Sequence, residues 1–587
     1  MTLIDDLSVV VGEAFAAAGL DARLGKVKPA DRPDLAQFQC NGALAAAKAA
    51  KKNPRALADA VIDHLKDRAE FTELTVAGPG FINITLTDAY LSGQVNRVRR
   101  DERFGGWRTS AAEKVVMDYG GPNVAKPLHV GHLRAAIIGE SLKRIFRFAG
   151  ETVVGDVHLG DWGMPMGQLI SELRREQPDL VYFDDTIEGP YQEEPPVTLS
   201  DLERLYPQAS AACKADPARA NEARIATADL QKGRPGYRAL WRHFVSLSRA
   251  SIEREYTDLG VTFDLWKGEA DADHLIEDMA ADIRAKGLIE ESDGAQIIRV
   301  AREDDKKEVP PLILFKSDGS VLYGTTDLAT IVDRKQCENP DRILYVVDQR
   351  QSLHFDQVFR ASDLAGIFPA DRLEHIGFGT MNGNDGKPFK TREGGVLKLR
   401  DLIDRVTKRA SERLAESGLG AGYDAQEVAD IARKVGVAAL KFADLSNTRT
   451  SDYIFDIDRF TAFEGKTGPY LLYASVRVRS VLAKAAAANA GAPGEIALSK
   501  PEERDLALVL LSFAQTVREA HHRRMPHILC DHAFVLAQAF SKFYAACRIV
   551  DEKDTAIRAS RLSLATAVGG QLDLVLDLLG IEAPARM

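Results

Sequence analysis

No stretch of this 587-residue chain is both long enough and apolar enough to cross a membrane, so no bilayer span is expected. The opening residues, MTLIDDLSVV, lack a basic segment followed by an apolar core, and no signal peptide is expected either. Cysteine is scarce: Cys40, Cys213, Cys337, Cys530 and Cys547 are scattered, with no Cys-x-x-Cys pair. That spacing suggests neither a zinc knuckle nor a disulfide framework, so the expectation is a reducing, cytoplasmic compartment and no protein-held metal. Basic residues are not in excess. A net charge of -10 argues against a general coat for nucleic acid, although a specific RNA contact depends on local patches rather than on the sum.

What is present is an ordinary globular composition, 45% hydrophobic and 28% charged, over a length that implies several domains. Residues 1–105 read as a small α+β module, with helical patterns and an alternating FTELTVA–GPG–FINITLT hairpin. Asn53 and Pro54 form a helix-start signal. Residues 106–465 mix strand and helix patterns, with a helical insertion at about 175–260 whose first part, EGPYQEEPPVTLSDLERLYPQ, reads as an acidic loop. Residues 466–587 read as all helix and carry the cationic cluster REAHHRR at 518–524.

The most informative stretch is 115–150, VVMDYGGPNVAKPLHVGHLRAAIIGESLKRIFRFAG. Its first five residues suit a buried strand, which Gly120, Gly121 and Pro122 break. Leu133, Ile137, Ile138, Leu142, Ile145 and Phe146 then recur at helical spacing, predicting a helix that opens near His129 and ends by Gly150. His129 and His132 share one face of the first turn, where free N–H groups and the helix dipole suit phosphate. Gly131 between them lets a ligand approach. Two capping histidines would give the same tetrapeptide; the strand before it and the amphipathic helix after it favour a nucleotide site.

His-x-Gly-His at such a turn resembles the ATP-binding signature of class I aminoacyl-tRNA synthetases and related nucleotidyl transferases. The wider string PNVAKPLHVGHLR resembles the arginyl-tRNA synthetases, and further strings extend the likeness in order along nearly the whole chain. They are FQCN at 38–41, GPGFINI, HLGDWG at 158–163, YGTTDLA at 323–329, Gln351-x-x-His354, DGKPFKTR at 385–392, DYIFDIDRF and GPYLLYA. The chain departs from the pattern in three places. DGKPFKTR stands where class I enzymes usually carry Lys-Met-Ser-Lys-Ser, as in many arginyl enzymes. Ala36 and Gln37 replace a frequent Gly-Asp, and Gly121 replaces a small polar residue.

The resemblance implies an α/β multidomain fold: a Rossmann-type doubly wound parallel-sheet catalytic domain, a small α+β N-terminal domain that contacts tRNA, and an all-α anticodon-binding domain. It implies an arginine–tRNA ligase that uses ATP with Mg2+ to convert L-arginine to arginyl-adenylate and passes it to tRNA(Arg), as a monomer. TRNA would have to bind before activation. His129 and His132 would donate to the α-phosphate beside Gly131, while Lys126, Lys387 and Lys390 would serve the pyrophosphate. Asp118, Glu269 and Asp327 would hold the guanidinium against Tyr323, and Asn123 and Gln351 the amino acid's backbone end. Phe38, Gln39 and Asn41 would meet the tRNA D-loop, and Tyr473 and Arg477 the anticodon arm. His158 and Asp161 are candidates for shaping the amino-acid pocket, and no editing domain is expected.

Two other readings stay open. One is a class I synthetase for another amino acid or a small-molecule adenylyl transferase; the acids at 269 and 327 and the long helical C-terminus argue against these. The other is a silent RNA-binding paralogue, against which stand His129, Gly131, His132 and Lys390.

Overall fold

The computed structural model describes residues 2–187, 189–192, 194–317, 319–387 and 397–587. Lys390 and most of the DGKPFKTR segment lie outside the described residues.

The apolar run that predicted a buried strand is central in a sheet. Lys114–Tyr119 pairs with Arg342–Val346 on one side and Thr152–Leu159 on the other, and Leu373–His375 and Leu265–Gly268 form the edges of this five-stranded sheet. Every pairing is parallel. Such strands are covered on both faces, which is why Val115, Val116, Met117, Ile343, Leu344 and Val346 are fully buried. Numbered along the chain, the strands lie in the order 5-4-1-2-3. This is the doubly wound, Rossmann-type arrangement, and its order reverses beside Lys114–Tyr119, where ligands of such sheets bind at the carboxyl ends.

The helix Val130–Ala149 follows, with Leu133, Ala136, Ile137, Leu142 and Ile145 fully buried. Each buried Leu or Ile contributes ~1.5–3 kcal/mol, so the apolar stripe rather than propensity holds this helix in place. It stops at Gly150, whose φ of 102° is the left-handed cap conformation. A second helix, Tyr323–Cys337, is tied to the sheet by polar groups. Arg334 Nη2 lies 2.6 Å from Asp118 Oδ2 and 2.7 Å from Asp156 Oδ2, so one buried guanidinium bridges adjacent strands. Removing one member of such a buried set costs ~3–5 kcal/mol, because it strands the remaining charge.

One expectation is corrected, and a second element lies apart from the main sheet. The insertion's acidic stretch is not loop throughout: Leu199–Ala215 is a helix, opened by a reciprocal cap between Thr198 and Asp201 and running through Pro207. Thr-x-x-Asp marked that start, but the proline and the run before it suggested coil. Tyr323 and Asp327 do not end a strand of the main sheet. The preceding strand, Leu312–Phe315, belongs to a separate antiparallel sheet with Ala295–Ile298 and Glu290–Ser292, and Tyr323 is already helical.

These elements belong to one compact unit, Ser110–Thr461; a second joins Met1–Thr109 to Ala462–Met587. In the second unit a four-stranded antiparallel sheet runs Val27–Pro29, Phe38–Cys40, Phe81–Leu86, Phe71–Ala77, and the helices Gly468–Ala487, Pro501–Arg523, His527–Ala546 and Thr555–Leu578 form the C-terminal part. The chain's two ends meet through specific polar contacts. Arg504 makes a two-pronged bridge to Asp88 at 2.6 and 2.7 Å, and the Asn96 side chain exchanges two 3.0 Å hydrogen bonds with the Ile496 backbone. Among the described residues no helix is long and apolar enough to cross a membrane.

Candidate active site

The turn after Lys114–Tyr119 is shaped by close backbone approaches. The Gly160 N–H donates to the Pro122 carbonyl at 3.1 Å, and the Val124 N–H to the Gly160 carbonyl at 3.0 Å. Asn123 is thereby bridged to Gly160. A Cβ at Gly121 would lie 2.2 Å from the His158 carbonyl oxygen. That explains the glycine where the resembling family carries a small polar residue: this backbone leaves no room for any side chain.

The helix then opens on a cap made of its own histidines. His129 is extended and its Nδ1 accepts the Gly131 N–H at 3.0 Å, while His132 Nδ1 accepts the His129 N–H at 3.1 Å. The ring centroids are 3.9 Å apart. A Cβ at Gly131 would fall 2.7 Å from the His129 ring, so glycine makes room for the ring itself. Since each Nδ1 accepts, each neutral ring carries its proton on Nε2. Burial lowers the pKa of both rings, that of His132 to about 3, and the nearby Lys126 charge adds to the effect. The helix start therefore presents a pair of fixed, uncharged N–H donors beside a lysine.

Opposite in character is a cluster of acids. Leu265–Gly268 runs directly into the short helix Glu269–Ala272. Burial raises Glu269 to about 8, reinforced by the charges of Asp161 and Asp327. Burial likewise lifts Asp161, 4% exposed and accepting the Ala270 N–H at 3.1 Å, to about 7. Asp327 accepts from His354 Nε2 at 2.5 Å. Tyr323, 65% exposed, is within electrostatic reach of Glu269 and Asp327. Asp327, Thr330 and Arg334 recur along one face of Tyr323–Cys337, and Thr330 Oγ1 lies 3.3 Å from His158 Nε2. Crowded, desolvated carboxyls of this kind are suited to an incoming cation.

The remaining candidates divide. Asp118, expected to share a substrate guanidinium, is already held by the protein's own Arg334. Gln351 is exposed at the end of the turn Gln349–Gln351. Lys387 is exposed, its N–H donating to Asp385 Oδ1 at 3.1 Å. In the other unit Phe38 is 7% exposed on an interior strand, a core position rather than an open stacking ring. Gln39, on the same strand, is equally buried, but among the described residues its Oε1, like Asn41 Oδ1, has no hydrogen-bond partner. Tyr473 is exposed, and the Arg477 guanidinium lies 5.0 Å from the centre of the Tyr544 ring. Sequence reasoning passed over Tyr206, whose ring lies 4.7 Å from Lys126 Nζ. It also missed the Asp118–Arg334–Asp156 bridge. Their partners are distant in sequence, and no local signal marks the pairs.

Comparison with known proteins shows the family of the chain. Residues 94–457 match the family model of tRNA synthetases class I (R), catalytic domain; 471–587 match the DALR anticodon binding domain, and 2–86 the arginyl tRNA synthetase N terminal domain. The chain is 55% identical over 587 residues to the arginine–tRNA ligase of Maricaulis maris, with 100% of both chains covered. It is also 55% identical over 588 residues to that of Hyphomonas neptunium, again with 100% of both covered. Among solved structures, the Thermus thermophilus arginyl-tRNA synthetase shares its fold at a TM-score of 0.79 and 23% identity, with 100% of each chain covered. The Plasmodium falciparum enzyme does so at 0.80 and 22%, covering 100% of this chain and 99% of that one. On this match in full length and domain order, the chain belongs to the arginine–tRNA ligases, class I aminoacyl-tRNA synthetases.

Proposed function

We propose that the protein activates L-arginine with ATP, releasing pyrophosphate, and transfers the arginyl group from the adenylate to the terminal ribose of tRNA(Arg). No protein nucleophile is required. The substrate carboxylate attacks the α-phosphorus and the bond to pyrophosphate breaks, so the protein's work is alignment and charge stabilisation. His129 and His132 give their Nε2–H donors to the α-phosphate, and Lys126, Lys387 and Lys390 meet the departing pyrophosphate. Glu269 and Asp327 grip the guanidinium beside Tyr323, with Asp161 behind them; Asn123 and Gln351 hold the carboxyl and amino end. Asp118 acts through Arg334. Gln39 and Asn41 in one segment, and Tyr473 and Arg477 in another, contact the tRNA.

The observation that carries this reading is the acid cluster itself, in which burial and mutual repulsion raise Glu269 to about 8. A planar guanidinium matches such carboxylates in a fork that lysine cannot copy. A pocket this polar rejects neutral analogues strongly, so no editing site is needed. Mg2+ would come with ATP and supply charge neutralisation at its phosphates, beside the neutral His129 and His132 donors and Lys126. Among the described residues no disulfide joins any of the five thiols, which suits a reducing cytoplasm. The working unit is a monomer.

Arginine binding is expected to release protons. Glu269 and Asp161 keep theirs to about pH 8 and 7 in the ligand-free protein, whereas the guanidinium binds their ionised forms. Affinity for arginine should therefore rise with pH across that window and level above it. Because these folded-state values are raised, the stability they contribute is complete below the unfolded carboxyl range and is lost as pH rises through 7 and 8. Saturating arginine should cancel that loss. Calorimetric titration in buffers of different ionisation enthalpy counts the protons; a pH-independent affinity would remove Glu269 from the pocket.

The deciding assay is arginine-dependent ATP–pyrophosphate exchange with and without tRNA(Arg). Exchange confined to the tRNA-containing sample supports the assignment and makes RNA binding part of site assembly. Exchange in both keeps the enzyme and drops the coupling. Folded protein that exchanges in neither overturns the reading.

A further inference from the structure

The insertion helix Leu199–Ala215 reaches the histidine turn from outside the sheet. Glu203 and Tyr206 are three apart and share a face. The Tyr206 ring centre lies 4.7 Å from Lys126 Nζ, and Glu203 Oε2 lies 2.8 Å from Lys398 Nζ. Lys398 is joined to the histidine turn in its own right. It forms an antiparallel bridge with His129, flanked by hydrogen bonds from the Val130 N–H to the Leu397 carbonyl at 3.1 Å and from the Leu399 N–H to the Leu128 carbonyl at 2.9 Å. The insertion's later helix, Pro235–Asp258, adds two anchors. Ser248 Oγ accepts the Ala125 N–H at 3.0 Å, fixing a non-glycine residue at a φ of 65°, and Asp258 pairs with Arg400.

We infer that the helical insertion is a positioning element for the phosphate-side cations: Tyr206 aims Lys126, and Glu203 anchors Lys398 beside the histidine turn. The chemistry of the two contacts is what separates their roles. A carboxylate beside Lys126 would compete with pyrophosphate for its ammonium, whereas an aromatic face orients the ammonium and leaves its charge unspent. Lys398, to which the reading above gives no part in the reaction, takes the neutralising partner. Tyr206 is also within electrostatic reach of Tyr323, so the same helix turn borders the amino-acid side of the site.

The inference rests on the adenylate-forming reading above, and its test is built to fail separately from it. Exchange is measured with tRNA present for wild type, Tyr206→Phe, Tyr206→Leu, Lys126→Met and the Tyr206→Leu/Lys126→Met pair. Tyr206→Leu should lower kcat about tenfold, the scale of a partly desolvated cation–π contact, raise KM for pyrophosphate and leave KM for arginine unchanged. Tyr206→Phe, which keeps the ring, should restore the rate. In the Lys126→Met background Tyr206→Leu should cost nothing more. A Tyr206→Leu rate equal to wild type, a Phe variant as poor as Leu, or an undiminished loss in the Lys126→Met background overturns the inference alone. Wild-type protein without exchange overturns the adenylate reading and this inference with it.

Discussion

Asp327→Ala is expected to raise KM for L-arginine about a hundredfold in the exchange assay while changing kcat far less, on the ~3–5 kcal/mol scale for removing one partner of a buried ion pair. The argument rests on what the variant leaves behind. Asp327 carries the contact to His354 at 2.5 Å and contributes to the field at Glu269. Its loss deprives the guanidinium of one carboxylate, leaves His354 without its acceptor and relieves part of the repulsion that lifts Glu269. The last effect pulls the pH dependence of arginine binding downward, so the affinity rise should begin at lower pH than in wild type. KM for ATP should stay put, because the histidine cap and Lys126 do not involve this acid. An arginine KM equal to wild type would take Asp327 out of the pocket.

The fold was legible wherever short-range chemistry decides it. The helix that starts at His129 and ends at Gly150 follows from the spacing of Leu133, Ile137, Leu142 and Ile145 and from a glycine at the left-handed cap. The helix Pro54–Asp63 follows from Asn53, whose side chain accepts the Arg55 N–H as a cap should. Both signals are local in sequence, and no distant partner overrules them. Leu199–Ala215 was missed because the acidic, proline-containing run through Pro207 reads as a loop, and the Thr198–Asp201 cap was not recognised. The hydrophobic anchors Leu202, Leu205 and Ala209 won, since burial against neighbouring helices outweighs one lost backbone hydrogen bond.

The site divides along the same line. The histidine pair was legible as a pair, since a three-residue spacing on a helix fixes its geometry. That the rings cap each other, and so hold their protons on Nε2, depends on the extended backbone at His129, which periodicity does not report. The acids were legible as candidates but not as an arrangement. Asp118 sits in register with Asp156 only because two parallel strands align them, and Arg334 reaches both from a helix far along the chain. The charge at Asp118 is thus spent inside the protein. Asp161, a candidate for shaping the amino-acid pocket, borders Glu269. Which acids remain uncompensated is a property of the packed sheet, and that property separates a cation pocket from a solvated acidic surface.

His129→Asn is expected to lower kcat for exchange by about a hundredfold to a thousandfold, the usual cost of deleting one preorganised donor, with little change in melting temperature. Asparagine separates the residue's two tasks. Its side-chain oxygen can accept the Gly131 N–H in place of Nδ1, and asparagine is among the best helix caps, so the helix start should hold. Nothing in its shorter side chain replaces the Nε2–H, which the ring carries beyond the cap. His132 cannot make up the loss: its own Nδ1 is committed to the His129 backbone, its ring is buried, and its single free donor already has a place in the arrangement. Protonating the surviving imidazole would strengthen it, but burial, the largest cause of its lowered pKa, remains in the variant, so lowering the pH should not rescue it. His129→Ala, which removes cap and donor together, should lose as much rate and also melt lower, by ~1 kcal/mol of cap stability. Equal rates for wild type and His129→Asn would make the histidine a cap and nothing more, and the phosphate role would then fall to His132 and Lys126.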